Sequence, residues 1–137
     1  HDVGDEVLQG MAKRVQGDLR GFDTAVRYGG EEFVILLPDS PLAAAAAAAE
    51  RLCRSIAATP LPTSSHVDGI SITVSIGVAT AIAGQEGLDD LIRRGDQALY
   101  DAKNAGRNQV IIAAAELMPV KPVCDPDTGI VVQTAVG

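Results

Sequence analysis

Aromatic residues are scarce in this chain of 137 residues, which has no tryptophan and in which aromatics make up only 3%. Proteins that bind single-stranded nucleic acid usually stack bases on aromatic side chains, so this class is disfavoured. Basic residues are also in the minority, since 11 Lys and Arg stand against 18 Asp and Glu and the net charge is -7. A broad surface for the phosphate backbone of nucleic acid is therefore not expected.

Cysteines and long apolar runs are sparse as well. Cys53 and Cys124 have no metal-binding spacing, and we expect two free thiols in a reducing, cytoplasmic compartment. No apolar run reaches the roughly 18 residues of a transmembrane helix. The first residues, HDVGDEVL, lack the basic and apolar regions of a signal peptide. The length corresponds to one domain, and the lack of a long apolar run predicts no membrane segment in it.

Hydrophobic residues make up 47% of the chain, and much of this content recurs with helical spacing. A spacing of three and four residues predicts a first helix from about Val7 to Leu19. A second helix is expected to open with Ser40 as its N-cap and to continue through the alanines of 43–49, because alanine is the best helix former. A third helix should follow Leu88 and end with Gly106 as its C′ residue.

Strand patterns lie between these helices. Apolar and small polar residues alternate from Ile70 to Val78, which predicts a strand. The β-forming pieces 25–28 and 33–37 flank Gly29-Gly30, a sequence typical of a tight hairpin because glycine adopts positive φ without strain. A short last strand is predicted at 109–112. Together these elements predict an α+β, ferredoxin-like sandwich, with a mostly antiparallel central sheet and flanking helices.

The densest group of chemically useful side chains is the segment from Arg27 to Phe33. Its two glycines would let a nucleotide phosphate approach the backbone, and the adjacent carboxylates of Glu31 and Glu32 can hold Mg²⁺ against that phosphate. The alternative is an ordinary hairpin with two solvated glutamates.

Through Gly29-Gly30-Glu31-Glu32-Phe33 the sequence resembles the GGDEF domains, or diguanylate cyclases, which condense two GTP molecules into cyclic di-GMP. Residues 1–5, 75–78 and 98–108 agree with further motifs in the family's order. The resemblance covers roughly residues 1–112 and implies a nucleotidyl-cyclase-like sandwich whose first strand is missing. We expect residues 1–114 to form a partial GGDEF domain and 115–137 a C-terminal tail, with a short strand at Ile130–Val132 as one option.

The resemblance also implies roles for single residues. Glu31 and Glu32 would be the catalytic carboxylates and the ligands of Mg²⁺ (or Mn²⁺). The residues that would bind the GTP substrate are Asp5, Gly29, Gly30, Lys103 and Arg107. Asp5 would read the guanine base, and the two basic residues would hold phosphates. The alternatives are a helix-start acid at Asp5 and a surface charge at Lys103.

A second site is implied by Arg20-Gly21-Phe22-Asp23, which matches the family's product-inhibition motif in its distance from the glycine pair. Arg20, Asp23 and Arg51 would bind cyclic di-GMP there as an allosteric inhibitor. Guanidinium groups bind guanine edges and phosphates, and a carboxylate accepts hydrogen bonds from guanine. The alternative is a surface Arg–Asp pair worth less than about 1 kcal/mol.

The family's domain normally starts with a strand and a helix that are not found ahead of His1 in this sequence. In the family, that segment supplies further metal ligands, a phosphate-binding lysine and a guanine-reading asparagine. With Glu31 and Glu32 alone, Mg²⁺ should bind weakly, and we expect little or no cyclase activity from this chain. Because the missing strand is central in the family, we expect repair by strand exchange, by oligomerisation or by a tail strand at Ile130–Val132.

The leading prediction is therefore a diguanylate cyclase, a nucleotidyltransferase of signal transduction that acts as a homodimer. The family sets two GTP-loaded domains head to head, so that each 3′-hydroxyl attacks the partner's α-phosphate. The alternatives are a catalytically silent module that binds cyclic di-GMP and a purely structural dimerisation domain. The sensor or receiver domain that usually precedes such a domain is not in this sequence, and neither nucleic acid nor a membrane is expected as a partner.

Overall fold

A computed structural model of the chain describes residues 2–82, 84–113 and 128–136. The helices in these residues are α1 (Val3–Gly17), α2 (Leu42–Ala58) and α3 (Leu88–Asn104). The strands are β1 (Thr24–Gly29), β2 (Glu32–Leu36), β3 (Val74–Ile82), β4 (Val110–Ile112) and β5 (Thr128–Val136). Along the chain the order is α1-β1-β2-α2-β3-α3-β4-β5.

The strands form one sheet in the order β1-β2-β5-β3-β4. The pairs β1–β2, β2–β5 and β5–β3 are antiparallel, and only β3–β4 is parallel. The predicted α+β class with a mostly antiparallel sheet is thus confirmed.

Helices cover both faces of the sheet, because side chains alternate between the two faces along each strand. Helices α1 and α2 pack on one face, where the buried residues include Met11, Val15, Phe33, Ile35, Leu52, Ile56, Val74 and Ile76. Helix α3 covers the other face, where Leu91 packs with Val34 of β2 and Ala79 of β3. Each helix therefore carries one apolar stripe, as the spacing of the sequence predicts.

The last strand along the chain, β5, lies in the middle of the sheet. Val132 stands opposite Ile35 of β2 and also opposite Val78 of β3. A strand at Ile130–Val132 was one of the three expected ways to complete the sheet, and β5 contains these residues. The division into a domain of 1–114 and a tail of 115–137 stays a prediction, and 114–127 lie outside the described residues.

The predicted start of the long strand was wrong. Strand β3 begins at Val74, whereas Ile70 forms an isolated bridge with Leu61. The Ile70 N–H donates to the Leu61 carbonyl at 2.8 Å, and the Leu61 N–H donates back at 2.9 Å. Ile70 and Ile72 still pack against the core. The apolar alternation therefore extends beyond the sheet, through a segment that pairs locally.

The predicted cap of α2 was also wrong. The N-cap position is held by Pro41, which has no side-chain capping bond. The Ser40 hydroxyl instead accepts a hydrogen bond from Arg20 and donates to the Pro38 carbonyl at 3.3 Å. A tertiary partner thus takes the hydroxyl that local sequence assigns to the helix end.

Helix α3 ends in the glycine turn that the sequence predicts. Gly106 has a φ of 119°. The Arg107 N–H donates to the Ala102 carbonyl at 3.0 Å, and the Gly106 N–H donates to the Lys103 carbonyl at 3.5 Å. This pair of bonds is a Schellman motif, which needs the left-handed residue that glycine supplies. It sets the backbone of Lys103 and Arg107 on either side of one turn.

Glu6 and Cys53 have shifted pKa values. The Ser64 hydroxyl and the Ser64 N–H, the latter at 2.7 Å, both donate to the Glu6 carboxylate and lower its pKa, which ties the loop before β3 to α1. Burial raises the pKa of Cys53, which is a free thiol as predicted. Cys124 lies outside the described residues. In the part of the chain that the structure describes, no helix is long and apolar enough to cross a membrane.

Candidate functional site

The β1–β2 hairpin presents the glycine pair and the two glutamates at its tip. Strand β1 ends at Gly29 and β2 begins at Glu32, so Gly30 and Glu31 form the turn. Gly30 has a φ of 24°. A side chain built at Gly29 or Gly30 would meet no atom within 4 Å. The hairpin prediction is confirmed, and the space above its turn is open to a ligand.

Arg27 closes this turn, a role that the sequence analysis missed. Its Nε and Nη2 donate to the Gly30 carbonyl at 2.9 Å and 2.6 Å. The strand register also shifts between Arg27 and Gly29, so the end of β1 is irregular. The sequence feature that could have predicted this contact is the position of Arg27 three residues before Gly30, whose carbonyl lies in the turn. The bond holds the backbone to which a phosphate would come close.

The two glutamates differ in their surroundings. Glu31 is exposed in the turn, whereas Glu32 is partly buried as the first residue of β2. The Lys103 Nζ of α3 lies 3.8 Å from the Glu32 Oε1. The side chain of Lys103 is 26% exposed and that of Glu32 is 37% exposed, so both groups still reach solvent. Tertiary packing thus brings a cation from α3 to the glutamates of the hairpin.

This donor set fits an open Mg²⁺ site. Magnesium is usually held by one or two carboxylates, with water and substrate phosphates completing its six positions. Within residues 2–82 and 84–113, no group of three His, Cys, Asp or Glu side chains converges. Glu31 and Glu32 are the carboxylates of the hairpin that could hold such a metal, and Lys103 places a positive charge beside Glu32 for the same phosphates.

Two predicted substrate residues lie apart from the glutamates. Asp5 is exposed in the first turn of α1. Arg107 is exposed just after α3, with a φ of 65°. Neither side chain forms a hydrogen bond or ion pair with the hairpin in the described part of the chain. Of the predicted substrate residues outside the hairpin, the structure brings Lys103 to Glu32 but not these two.

The three residues predicted for the product site line one cavity. Arg20 and Asp23 come from the turn between α1 and β1, and Arg51 comes from α2. The cavity has a volume of about 250 Å³, and its apolar wall includes Ala44 and Ala48. This is smaller than the range of about 300–1,000 Å³ typical of pockets for drug-sized ligands.

Arg20 is held firmly at this cavity. Its Nε donates to the Asp23 Oδ2 at 3.2 Å, and its Nη2 donates to the Asp23 Oδ1 at 3.2 Å. The Asp23 side chain is only 3% exposed, and it also accepts from the Arg20 backbone N–H at 2.8 Å. The guanidinium carbon lies 4.5 Å from the centre of the Phe22 ring. The Arg20 side chain is 50% exposed, but the bidentate geometry and the buried carboxylate distinguish this contact from a pair with both side chains in solvent.

The chain is similar in sequence to known proteins. Residues 1–109 match the family described as "Diguanylate cyclase, GGDEF domain". The response regulator PleD of Caulobacter vibrioides is 39% identical over 115 residues, which cover 84% of this chain and 25% of PleD. Diguanylate cyclase DgcM of Escherichia coli is 45% identical over 114 residues, or 82% of this chain and 26% of DgcM. The chain spans about a quarter of the length of these curated relatives.

Solved structures agree with the sequence matches. The GGDEF domain of DgcB from Caulobacter crescentus, in complex with c-di-GMP, has a TM-score of 0.74 and 33% identity over 82% of this chain and 66% of that one. The active GGEEF domain of a diguanylate cyclase from Vibrio cholerae has a TM-score of 0.73 and 35% identity over 85% of this chain and 72% of that one. At identities of 33% and 35%, the similarity to these structures lies in the amino-acid sequence as well as in the fold.

Proposed function

The chain belongs to the GGDEF family of diguanylate cyclases, and from this premise we propose that it condenses two GTP molecules into cyclic di-GMP with loss of two molecules of pyrophosphate. The observation that carries the proposal is the meeting of Lys103 and Glu32, 3.8 Å apart, beside an open glycine turn. A lysine and a carboxylate side by side suit a metal-bound triphosphate, because the lysine can hold phosphate oxygens while the carboxylate holds the metal. Such a reaction belongs in the cytoplasm, where GTP is made.

The residues of the hairpin would have separate roles in binding the substrate, binding the metal and transferring the proton. Gly29 and Gly30 would let the triphosphate lie against the backbone, which Arg27 holds in place. Glu31 would accept the proton of the attacking 3′-hydroxyl, and Glu31 and Glu32 would bind Mg²⁺ or Mn²⁺. The metal would neutralise charge on the phosphates. Most of the rate would then come from positioning and electrostatics.

Two copies are required by this chemistry. Each 3′-hydroxyl must attack the α-phosphate of the other GTP, so two loaded hairpins must face each other. We therefore propose a homodimer as the catalytic form. Asp5 and Arg107 would act in this complex, Asp5 on guanine and Arg107 on phosphate, which is consistent with their exposure in the single chain.

We also propose that Arg20, Asp23 and Arg51 bind cyclic di-GMP as a product inhibitor. Their common cavity of about 250 Å³ and the bidentate Arg20–Asp23 pair support this. One alternative function, a catalytically silent module that binds cyclic di-GMP, would use this same cavity. The tests below separate the two.

The first test incubates the 137-residue chain with GTP and Mg²⁺ and separates the nucleotides by chromatography. We expect cyclic di-GMP to form in this reaction. Glu31→Gln removes the charge with little change of shape and should lower the rate at least about 100-fold, as loss of a group that acts on the transition state does.

Glu50→Gln, an exposed glutamate of α2, is the matched control and should leave the rate unchanged. If neither the chain nor Glu31→Gln yields product while cyclic di-GMP still binds, the silent module is the better description.

The second test titrates cyclic di-GMP into the chain by calorimetry. Arg20→Ala should weaken binding at least about 10-fold, because it removes a charged donor and leaves the carboxylate of Asp23 without its partner. Arg54→Ala, on α2 but outside this cavity, is the control for a lost surface arginine. Equal affinities for all three proteins would refute the assignment of the product site.

A further inference from the structure

The buried hydroxyl of Ser40 contacts Arg20, the arginine of the proposed product site. Ser40 is 2% exposed and lines the same cavity as Arg20, Asp23 and Arg51. Its Oγ accepts a hydrogen bond from the Arg20 Nη2 and donates to the Pro38 carbonyl at 3.3 Å. The same Nη2 lies 3.4 Å from the Pro38 oxygen. Ser40 and Pro38, which precede α2, thus both contact the Arg20 guanidinium.

The backbone between β2 and α2 turns this hydroxyl inward. Asp39 has a φ of 53°, a left-handed conformation that few residues other than glycine adopt but that aspartate tolerates. Pro41 then takes the N-cap position of α2, which frees Ser40 from capping the helix. The turn therefore directs the Ser40 side chain to Arg20 at the expense of an ordinary cap.

The guanidinium is consequently fixed on several sides. Asp23 binds Nε and Nη2, Ser40 and Pro38 bind Nη2, and the Phe22 ring covers one face. Nη1 forms no hydrogen bond with the described residues, so it is the donor left for a ligand. An arginine held in one rotamer loses less entropy when a ligand binds, which raises affinity.

We propose that Ser40 is a positioning residue of the product site, which orients Arg20 for the guanine edge or phosphate of cyclic di-GMP. The inference rests on the proposed function of this cavity. It predicts that the hydroxyl of Ser40, rather than its volume, sets the affinity for the dinucleotide. Ser40 itself need not touch the ligand.

The test compares pairs of variants by calorimetric titration with cyclic di-GMP. Ser40→Ala should weaken binding about 10-fold, the effect of losing one hydrogen bond to a charged group. Ser40→Thr keeps the hydroxyl, and Ser40→Val has the shape of threonine without it. The threonine variant should bind within about 2-fold of the unsubstituted chain, and the valine variant should be as weak as Ser40→Ala.

Thr63→Ala is the control for a merely structural effect. Thr63 is a buried hydroxyl away from the cavity, where it accepts from the His66 N–H at 3.1 Å. Its loss should lower thermal stability but leave the affinity for cyclic di-GMP unchanged. Weakened binding in Thr63→Ala to the same extent would refute a positioning role for Ser40, because any loss of stability would then produce the effect.

The remaining outcomes are also decisive. If Arg20→Ala loses binding while Ser40→Ala and Ser40→Val keep it, the positioning role is wrong and the product site stands. If threonine and valine at position 40 give equal affinities, the hydroxyl is again not responsible. If the unsubstituted chain does not bind cyclic di-GMP, the proposed product site fails, and the role of Ser40 fails with it.

Discussion

Val132→Pro will lower the free energy of unfolding by at least about 3 kcal/mol. Val132 lies at the centre of β5, opposite Ile35 of β2 and Val78 of β3. Proline removes its N–H, so one bond of the ladder is lost and a buried carbonyl is left without a donor. Since β5 is the strand that joins the β1–β2 hairpin to β3 and β4, a local break affects the whole sheet.

The measurement is urea unfolding followed by circular dichroism. Domains have total stabilities of about 5–15 kcal/mol, so this loss would remove a large share. Thr128→Pro is the matched control, because Thr128 begins β5 and pairs with Ile82 of β3 but not with β2. Proline is tolerated at the first residue of a strand, and this variant should stay close to the unsubstituted chain. An unchanged midpoint for Val132→Pro would show that β5 does not hold the sheet together.

Gly77→Ala will lower the melting temperature by about 10 °C. Gly77 lies in β3 on the face that α3 covers, and a Cβ there would overlap the Gly95 carbonyl oxygen and the Leu99 amide nitrogen. It would also lie 3.0 Å from the Ala98 carbonyl carbon. All three atoms belong to the helix backbone, which cannot rotate away as a side chain can. Helix α3 must then shift from the sheet, at a cost of about 3 kcal/mol.

Gly17→Ala is the control for this prediction. Gly17 is the last residue of α1, and a Cβ at that position would meet no atom within 4 Å. Alanine favours the helix over glycine, so this variant should melt at the same or a slightly higher temperature. Because α3 also carries Lys103, we expect Gly77→Ala to lower GTP turnover as well. A melting temperature for Gly77→Ala equal to that of Gly17→Ala would refute the close contact.

Local patterns predicted most of the elements. The apolar spacing of Val7, Met11 and Val15 predicted α1, and Gly29-Gly30 predicted the hairpin, since both depend on residues close in sequence. The same reasoning placed the start of β3 too early, at Ile70. Alternation reports which residues are buried, and it does not distinguish a bridge to Leu61 from pairing in the sheet.

In the candidate site too, contacts between residues close in sequence were easier to predict than contacts between distant residues. The contact of Arg20 with Asp23 lies within one turn of chain, and the motif indicated it. Resemblance to the family implied that Lys103 and Glu32 belong to one substrate site, but only the tertiary structure shows their side chains 3.8 Å apart. The contacts of Ser40 with Arg20 were missed, since helix-capping rules offered that hydroxyl a nearer partner.

The sequence by itself determined the helices, the hairpin, the family and the residues that carry the proposed chemistry. Only the tertiary structure decided that β5 lies between β2 and β3, and that Ser40 supports Arg20 instead of capping α2. The physical reason is that periodicity and capping depend on neighbours along the chain. Strand order and buried hydrogen bonds depend on which distant groups can be satisfied together once the core is packed.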